Sequence, residues 1–284
     1  QLNSVSDGDG EITLFTNGWI EDRETIGDLR VGTITSTQGD VTLTALQNSA
    51  SILDDGTIDD GSARVIGRDI VLVAGLLSGR IGGPGLFGTG LGGDPLEIDS
   101  SFSARGRVFA LAGGDIRLVE TQGDYYGLYA GSLTGDLGIQ TLDGSIRNDV
   151  DDRSTRFVAR SIDLVASGSV GSRTVDFSGD LFIDTAESGR LVAFSAAPRL
   201  AGVFVTEATG SLSVLFAVAL GGDVRLRTLY DPDVDRESVF VLPGGVTLGA
   251  LPVPFGAVAA SGAVEILSAM DVWAPAGTVI IGDR

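Results

Sequence analysis

The sequence predicts an all-β chain wound as a parallel β-helix, a solenoid of about a dozen coils, and three observations carry that reading. Glycine is abundant, at 42 of 284 residues. Short runs alternate apolar and polar side chains throughout. Whole segments then recur in a fixed order, roughly ninety residues apart.

The strands come first. Val41-Thr42-Leu43-Thr44, Ile116-Arg117-Leu118-Val119, Ile162-Asp163-Leu164-Val165 and Val224-Arg225-Leu226-Arg227 each place an apolar residue at every second position, as a strand with one buried face requires. Gly-Asp, Asp-Gly or Gly-Ser pairs usually precede them, supplying the positive φ angles and side-chain caps of tight turns.

Self-similarity organises those strands. Gly39 to Leu46 (GDVTLTAL) matches Gly135 to Leu142 (GDLGIQTL), and both match Gly222 to Leu229 (GDVRLRTL), at separations of 96 and 87 positions. Ile70 to Ala74 answers Ile162 to Ala166, Leu96 to Asp99 answers Leu181 to Asp184, and Gly106 to Ala110 answers Gly189 to Ala193. Their separations of 92, 85 and 83 differ by small insertions, which a solenoid tolerates as bulging loops. One β-helix over residues 1–284 follows, with units at about 39–134, 135–221 and, in part, 222–284. Residues 84–94 and 242–255 are expected to be loop insertions or irregular coils. Such a unit suits about four coils of ~20 to 25 residues, and a dozen rungs at ~4.8 Å make a rod on the order of 60 Å long. A propeller or a string of sandwiches fits less well, because the spacing varies and hairpin signals such as Asn-Gly are few.

Charge narrows the function. Thirty-eight acidic residues face 19 basic ones, all arginine, for a net charge of −19. So acidic a surface repels phosphate backbones and anionic membranes, which disfavours both nucleic acid and a lipid surface as partners and leaves cations as the natural small ones. There is no Cys and no His, which removes disulfides, thiol catalysis, His/Cys zinc sites and every imidazole triad. The uncharged run from Ser238 to Val264 holds Pro243, Pro252 and Pro254, so no membrane span is expected there. Opening at Gln1 without a leader, the chain reads as a fragment or processed product.

The series GDVTLTAL, ARVIGRDIVLVA, GRIGG, LEID, GRVFALA and GDIRLVET resembles the repeats of filamentous-haemagglutinin-type large exoproteins and giant bacterial adhesins, over about residues 8 to 230. The resemblance implies a right-handed parallel β-helix, secreted and held at the bacterial cell surface. It further implies a non-catalytic adhesive or spacing shaft in biofilm or host contact. Its partners would be cell-surface or matrix glycans and proteins, or neighbouring copies. No catalytic residues come with that family. A self-assembling extracellular filament and a polysaccharide-acting β-helix lyase or hydrolase are the competing readings.

Candidate sites follow from side-chain chemistry. Acidic clusters recur at Asp54, Asp55, Asp59 and Asp60, at Asp149, Asp151 and Asp152, and at Asp231, Asp233 and Asp235. Closely spaced carboxylates on turns suit Ca²⁺, which takes six to eight oxygens; solvated loops that keep a rod soluble are the plainer reading. Asp7 to Glu11 resembles only the start of an EF-hand loop. Asp99 and Asp184 occupy equal positions in the repeat, which argues for turn capping over catalysis. Tyr125 falls on the core phase with Leu29 and Leu212, whereas Tyr126 should face outward, where an aromatic ring can stack on sugar.

Overall fold

The computed structural model describes residues 2–6, 11–55, 62–83, 94–102, 105–150, 152–198, 201–229, 238–241, 247–248, 251–252, 257–273 and 279–281. Among them are short strands and no helix, and so no helix long and apolar enough to cross a membrane. The chain opens with β1 (Leu2–Ser6), β2 (Glu11–Thr16), β3 (Ile20–Glu24), β4 (Leu29–Ser36), β5 (Val41–Ala45) and β6 (Ile52–Asp54). Next come β7 (Val65–Ile66), β8 (Ile70–Val73), β9 (Leu96–Asp99), β10 (Val108–Ala112), β11 (Ile116–Glu120), β12 (Tyr125–Ser132) and β13 (Leu137–Thr141). They are followed by β14 (Ile146–Asn148), β15 (Phe157–Ala159), β16 (Ile162–Ala166), β17 (Leu181–Thr185), β18 (Leu191–Ser195), β19 (Val203–Glu207), β20 (Leu212–Ala219) and β21 (Val224–Thr228). The chain closes with β22 (Val239–Val241), β23 (Thr247–Leu248), β24 (Leu251–Pro252), β25 (Ala257–Ala260), β26 (Val264–Leu267), β27 (Val272–Trp273) and β28 (Val279–Ile281).

Two long sheets hold nearly all of these strands, and every pairing within them is parallel; only the β23–β24 ribbon is antiparallel. The first sheet runs β1-β3-β5-β8-β10-β12-β15-β17-β19-β21-β26 and the second β2-β4-β7-β9-β11-β13-β16-β18-β20-β22-β27. Consecutive principal strands thus alternate between the sheets, so each coil contributes one strand to each. This is a parallel β-helix solenoid with eleven strands along each path, about 50 Å of stacked rungs.

Alternation in sequence becomes ladders in space. Ile20 pairs with Val41, Val41 with Ile70 and Ile70 with Val108 along the first sheet. Ile116, Leu137, Ile162, Leu191 and Val214 stack along the second. All are buried in one core between the sheets, where cutting a Leu or Ile to Ala costs about 2–5 kcal/mol.

The ninety-residue echo has a sharper meaning in three dimensions. The segment at β5, on the first sheet, recurs at β13 on the second and at β21 on the first again. Leaving aside the short side strands β6 and β14, each step is seven strands. The same displacement separates β8 from β16, β9 from β17 and β10 from β18. A unit is therefore three and a half coils, where the sequence suggested about four. Loops account for the difference: Val41 and Ile70, paired in adjacent coils, already lie 29 positions apart. An odd strand count means that each repeat is turned by half a coil, and the two sheets exchange roles.

Insertions obey the same rule. The eight-residue strands β4, β12 and β20 each pair with two short successors, β6 and β7, β14 and β15, and β22 and β25. One coil later, Ile81 bridges to Ile52 and Val170 to Ile146. Each is followed by a glycine at φ 72°, Gly82 and Gly171, a left-handed conformation that favours residues without a Cβ. A second insertion starts at each glycine. Both are closed by a backbone hydrogen bond at the neck, Gly83 N–H to Asp94 C=O in one and Ser172 N–H to Gly179 C=O in the other. One insertion sits on the second sheet and its counterpart on the first.

Candidate functional site

The densest chemistry among the described residues lies where two insertions of the first sheet meet. One joins β14 to β15 and contains Arg153; the other, Gly171–Asp180, leads into β17. Arg153 at φ 63° and Phe177 at φ 65° are the two non-glycine residues with positive φ among those described. Each is held in a left-handed conformation that costs on the order of 1–3 kcal/mol and persists only when its surroundings enforce it. Here they do: the Arg153 guanidinium donates to the backbone carbonyl of Asp176, binding one insertion to the other.

Phe177 is clamped from below. The Arg225 and Arg227 guanidiniums of β21 lie 4.6 and 4.4 Å from its ring centroid. Arg225 also lies 5.3 Å from Phe204 of β19, and Arg227 5.7 Å from Phe182 of β17. These four residues occupy outward positions on three adjacent strands, so the ladder that fills the core on one side builds a cation–aromatic stack on the other.

Asp180 anchors the stack. Its carboxylate is buried and ion-paired with Arg225, and it accepts the Thr206 hydroxyl at 2.8 Å. Its backbone carbonyl accepts the Asn148 amide at 2.7 Å. Arg225 donates again to the Thr174 carbonyl at 3.2 Å, and Arg227 Nε donates to Thr206 Oγ1 at 3.1 Å. Burial raises the Asp180 carboxyl from its ordinary range even against the Arg225 and Thr206 hydrogen bonds. Burial also lowers Arg227, opposed by the charge of Asp180. At the rim, Arg173 is ion-paired with Asp223 and Val175 projects fully into solvent. Between loop and sheet lies a cavity of about 380 Å³ walled by Arg173, Thr174, Val175, Phe177, Arg225 and Glu265.

The residues singled out from sequence fall elsewhere. Tyr125 is buried in the core, with its ring 6.4 Å from that of Phe157. Tyr126 is half-buried beneath Arg105, whose guanidinium lies 4.0 Å above its ring, and its hydroxyl donates to Asp124 at 3.1 Å. The same Arg105 reaches Asp149 at 3.5 Å, so Tyr126 and Asp149 share one polar cluster; Arg107 joins it at 3.8 Å.

The other described acidic residues are engaged too. Asp54 is buried 3.2 Å from Arg64, and Asp152 pairs with Arg156 at 2.7 Å. Asp55 is exposed. Among the described residues no group of three or more carboxylates converges. Asp59, Asp60, Asp151, Asp231, Asp233 and Asp235 lie outside the described residues, as do the first four positions of Asp7 to Glu11. Asp99 caps its own turn, accepting the Ser101 amide and hydroxyl at 2.9 and 3.0 Å, whereas Asp184 accepts the Thr209 hydroxyl at 2.7 Å from the next coil.

The Phe177 stack carried one signal that the sequence reading passed over. Where β21 has Arg225 and Arg227, the equivalent strands have Thr42 and Thr44, and Gly138 and Gln140. Two arginines replacing small or neutral side chains in one copy of a repeat mark that copy as specialised. Phe177 itself lies within an insertion, where the alternation of the strands does not run.

No protein-family model, curated protein or solved structure matches this chain. Its class is set by the fold alone, an all-parallel β-solenoid carrying paired surface insertions.

Proposed function

We propose that this chain is a non-catalytic segment of an extracellular shaft at a bacterial cell surface, giving reach and an adhesive contact. The joined insertions at Phe177 carry the reading. The core is built from rung-to-rung contacts, so length is gained by adding coils, while one patch concentrates backbone strain, aromatic rings and four arginines in a chain of net charge −19. Val175 and Arg173 are exposed at its rim.

Retention of the purified chain on matrix glycans and on cell surfaces tests this. Val175→Asp is expected to lower retention with an unchanged circular dichroism spectrum. Retention equal to the parent's would sink the patch as the contact. New reducing ends on incubation with polysaccharides would replace the shaft by an enzyme, and concentration-dependent fibres would replace it by a filament.

A further inference from the structure

We infer that a groove along the corner where β17, β19, β21 and β26 pass from the first sheet to the second binds a short basic peptide, an extended segment with arginine or lysine beside apolar side chains, at a place apart from the Phe177 patch. Four successive coils build the groove, through residues 185–187, 209–213, 238–240 and 270–271, and its volume is about 680 Å³. Three rung spacings of ~4.8 Å give it a length of about 14 Å, which takes roughly four residues of extended chain.

The floor is apolar. Phe240 holds the outward position between Val239 and Val241, both of which point into the core, and it lies in register with Ser213 of β20. It is half-buried, and Met270 beside it is 54% exposed. Gly210, at φ 69°, lines the same groove, and a Cβ there would meet nothing within 4 Å, so the space above it is open.

The two ends are acidic. Glu187 on the first of the four coils and Asp271 on the last are exposed, and no described residue of the lining is basic. The Asp271 carbonyl accepts the Val239 N–H at 2.9 Å and the Ser268 hydroxyl at 2.8 Å, which fixes the residue at the groove while it stays open to solvent.

Charge decides the occupant. Carboxylates flanking an apolar floor match a side chain with an apolar stem and a cationic head, whereas an acidic glycan or a phosphate would meet like charge. The net charge of −19 draws basic segments towards the surface. Guanidiniums already lie over aromatic rings elsewhere in this chain, Arg227 at 4.4 Å from the Phe177 centroid and Arg105 at 4.0 Å from that of Tyr126. A neutral sugar would stack on Phe240 but gain less from the two charges.

Fluorescence anisotropy of the purified chain with a labelled Gly-Arg-Leu-Arg-Leu-Gly peptide, its glutamate-for-arginine counterpart and, as competitor, cellotriose tests the groove. The basic peptide is expected to bind at least about tenfold more tightly than the acidic one. Asp271→Asn and Gly210→Asn should each weaken it by at least about fivefold at an unaltered melting temperature, asparagine being tolerant of the left-handed backbone. Asp143→Asn, which removes an equally exposed charge from the opposite corner, should leave binding unchanged. Absence of binding by the basic peptide, equal losses in Asp143→Asn and Asp271→Asn, or undiminished binding by Gly210→Asn overturns the inference. Displacement of the peptide by an equal concentration of cellotriose overturns it as well, in favour of a glycan.

Discussion

Glu120 and Glu207 stand seven strands apart on opposite sheets and make the same contact. Glu120, at the end of β11, accepts the Ser100 backbone N–H at 2.9 Å and its hydroxyl at 2.7 Å. Glu207, at the end of β19, accepts the Thr185 N–H at 2.9 Å and its hydroxyl at 2.8 Å. Both glutamates are fully buried, and each ties its coil to the one before it. Glu24, another seven strands back on β3, is buried as well.

These buried acids set the pH response. Burial holds Glu120 and Glu207 well above the ordinary carboxyl range, against the hydrogen bonds from Ser100 and Thr185. Burial likewise pushes Asp163 up to about 8, with Arg190 and Arg117 opposing. An acid whose folded pKa is raised binds more protons folded than unfolded, so its contribution to stability is whole below the unfolded value of about 4 and lost as pH rises through the folded value. The melting temperature is therefore expected to fall between about pH 4 and pH 8. Asp163→Asn should raise it at pH 8 and change little at pH 4. A melting temperature that climbs across this range contradicts the assignment.

The Asp180–Arg225 pair gives a second expectation. Replacing Asp180 by Ala leaves a buried guanidinium without its counter-ion, at a cost of about 3–5 kcal/mol. Denaturant unfolding should show that loss. Asp180→Leu combined with Arg225→Met should cost less than the single change, because no buried charge is stranded. A double variant weaker than Asp180→Ala would mean that the ion pair is itself the main fastening of the loop.

If the two sheets are interchangeable by a half turn, removing one unit should leave a foldable chain. Deleting residues 135–221 brings β21 directly after β12, in the place of β13. The shortened protein is expected to keep a β-type circular dichroism spectrum and a cooperative melt. Aggregation or loss of cooperativity would show that the sheets differ in more than their sequence.

Calcium addresses the acidic turns. Asp54, Asp149 and Asp152 already face guanidiniums, so millimolar Ca²⁺ must displace an arginine to reach them. No change in melting temperature relative to chelator is expected from these three residues. A rise, abolished by substituting Asp231, Asp233 and Asp235 together, would move the metal to that cluster.

The coil was legible in the sequence because its causes are local. Period-two alternation at Val41 to Thr44 and a Gly-Asp turn state which side is buried and where the chain corners. Even the inward phase of Tyr125 and the outward phase of Tyr126 could be read. The half-turn was not legible, because matching strings report that two strands have the same environment and not which sheet they join. The Phe177 site was hidden for another reason. Its parts come from two insertions and from β17, β19 and β21, brought together only when the coils stack. Asp180 follows a glycine, as the aspartates of the Gly-Asp turns do, and its role depends on Arg225, 45 positions away.

The half-turn between units also fixes what an approaching surface meets. Successive insertions emerge on alternate flanks, so the solid has neither a front nor a back. Two neighbours could grip it from opposed directions, staggered by about 17 Å, while equivalent footholds along a single flank recur only every seven windings, about 34 Å.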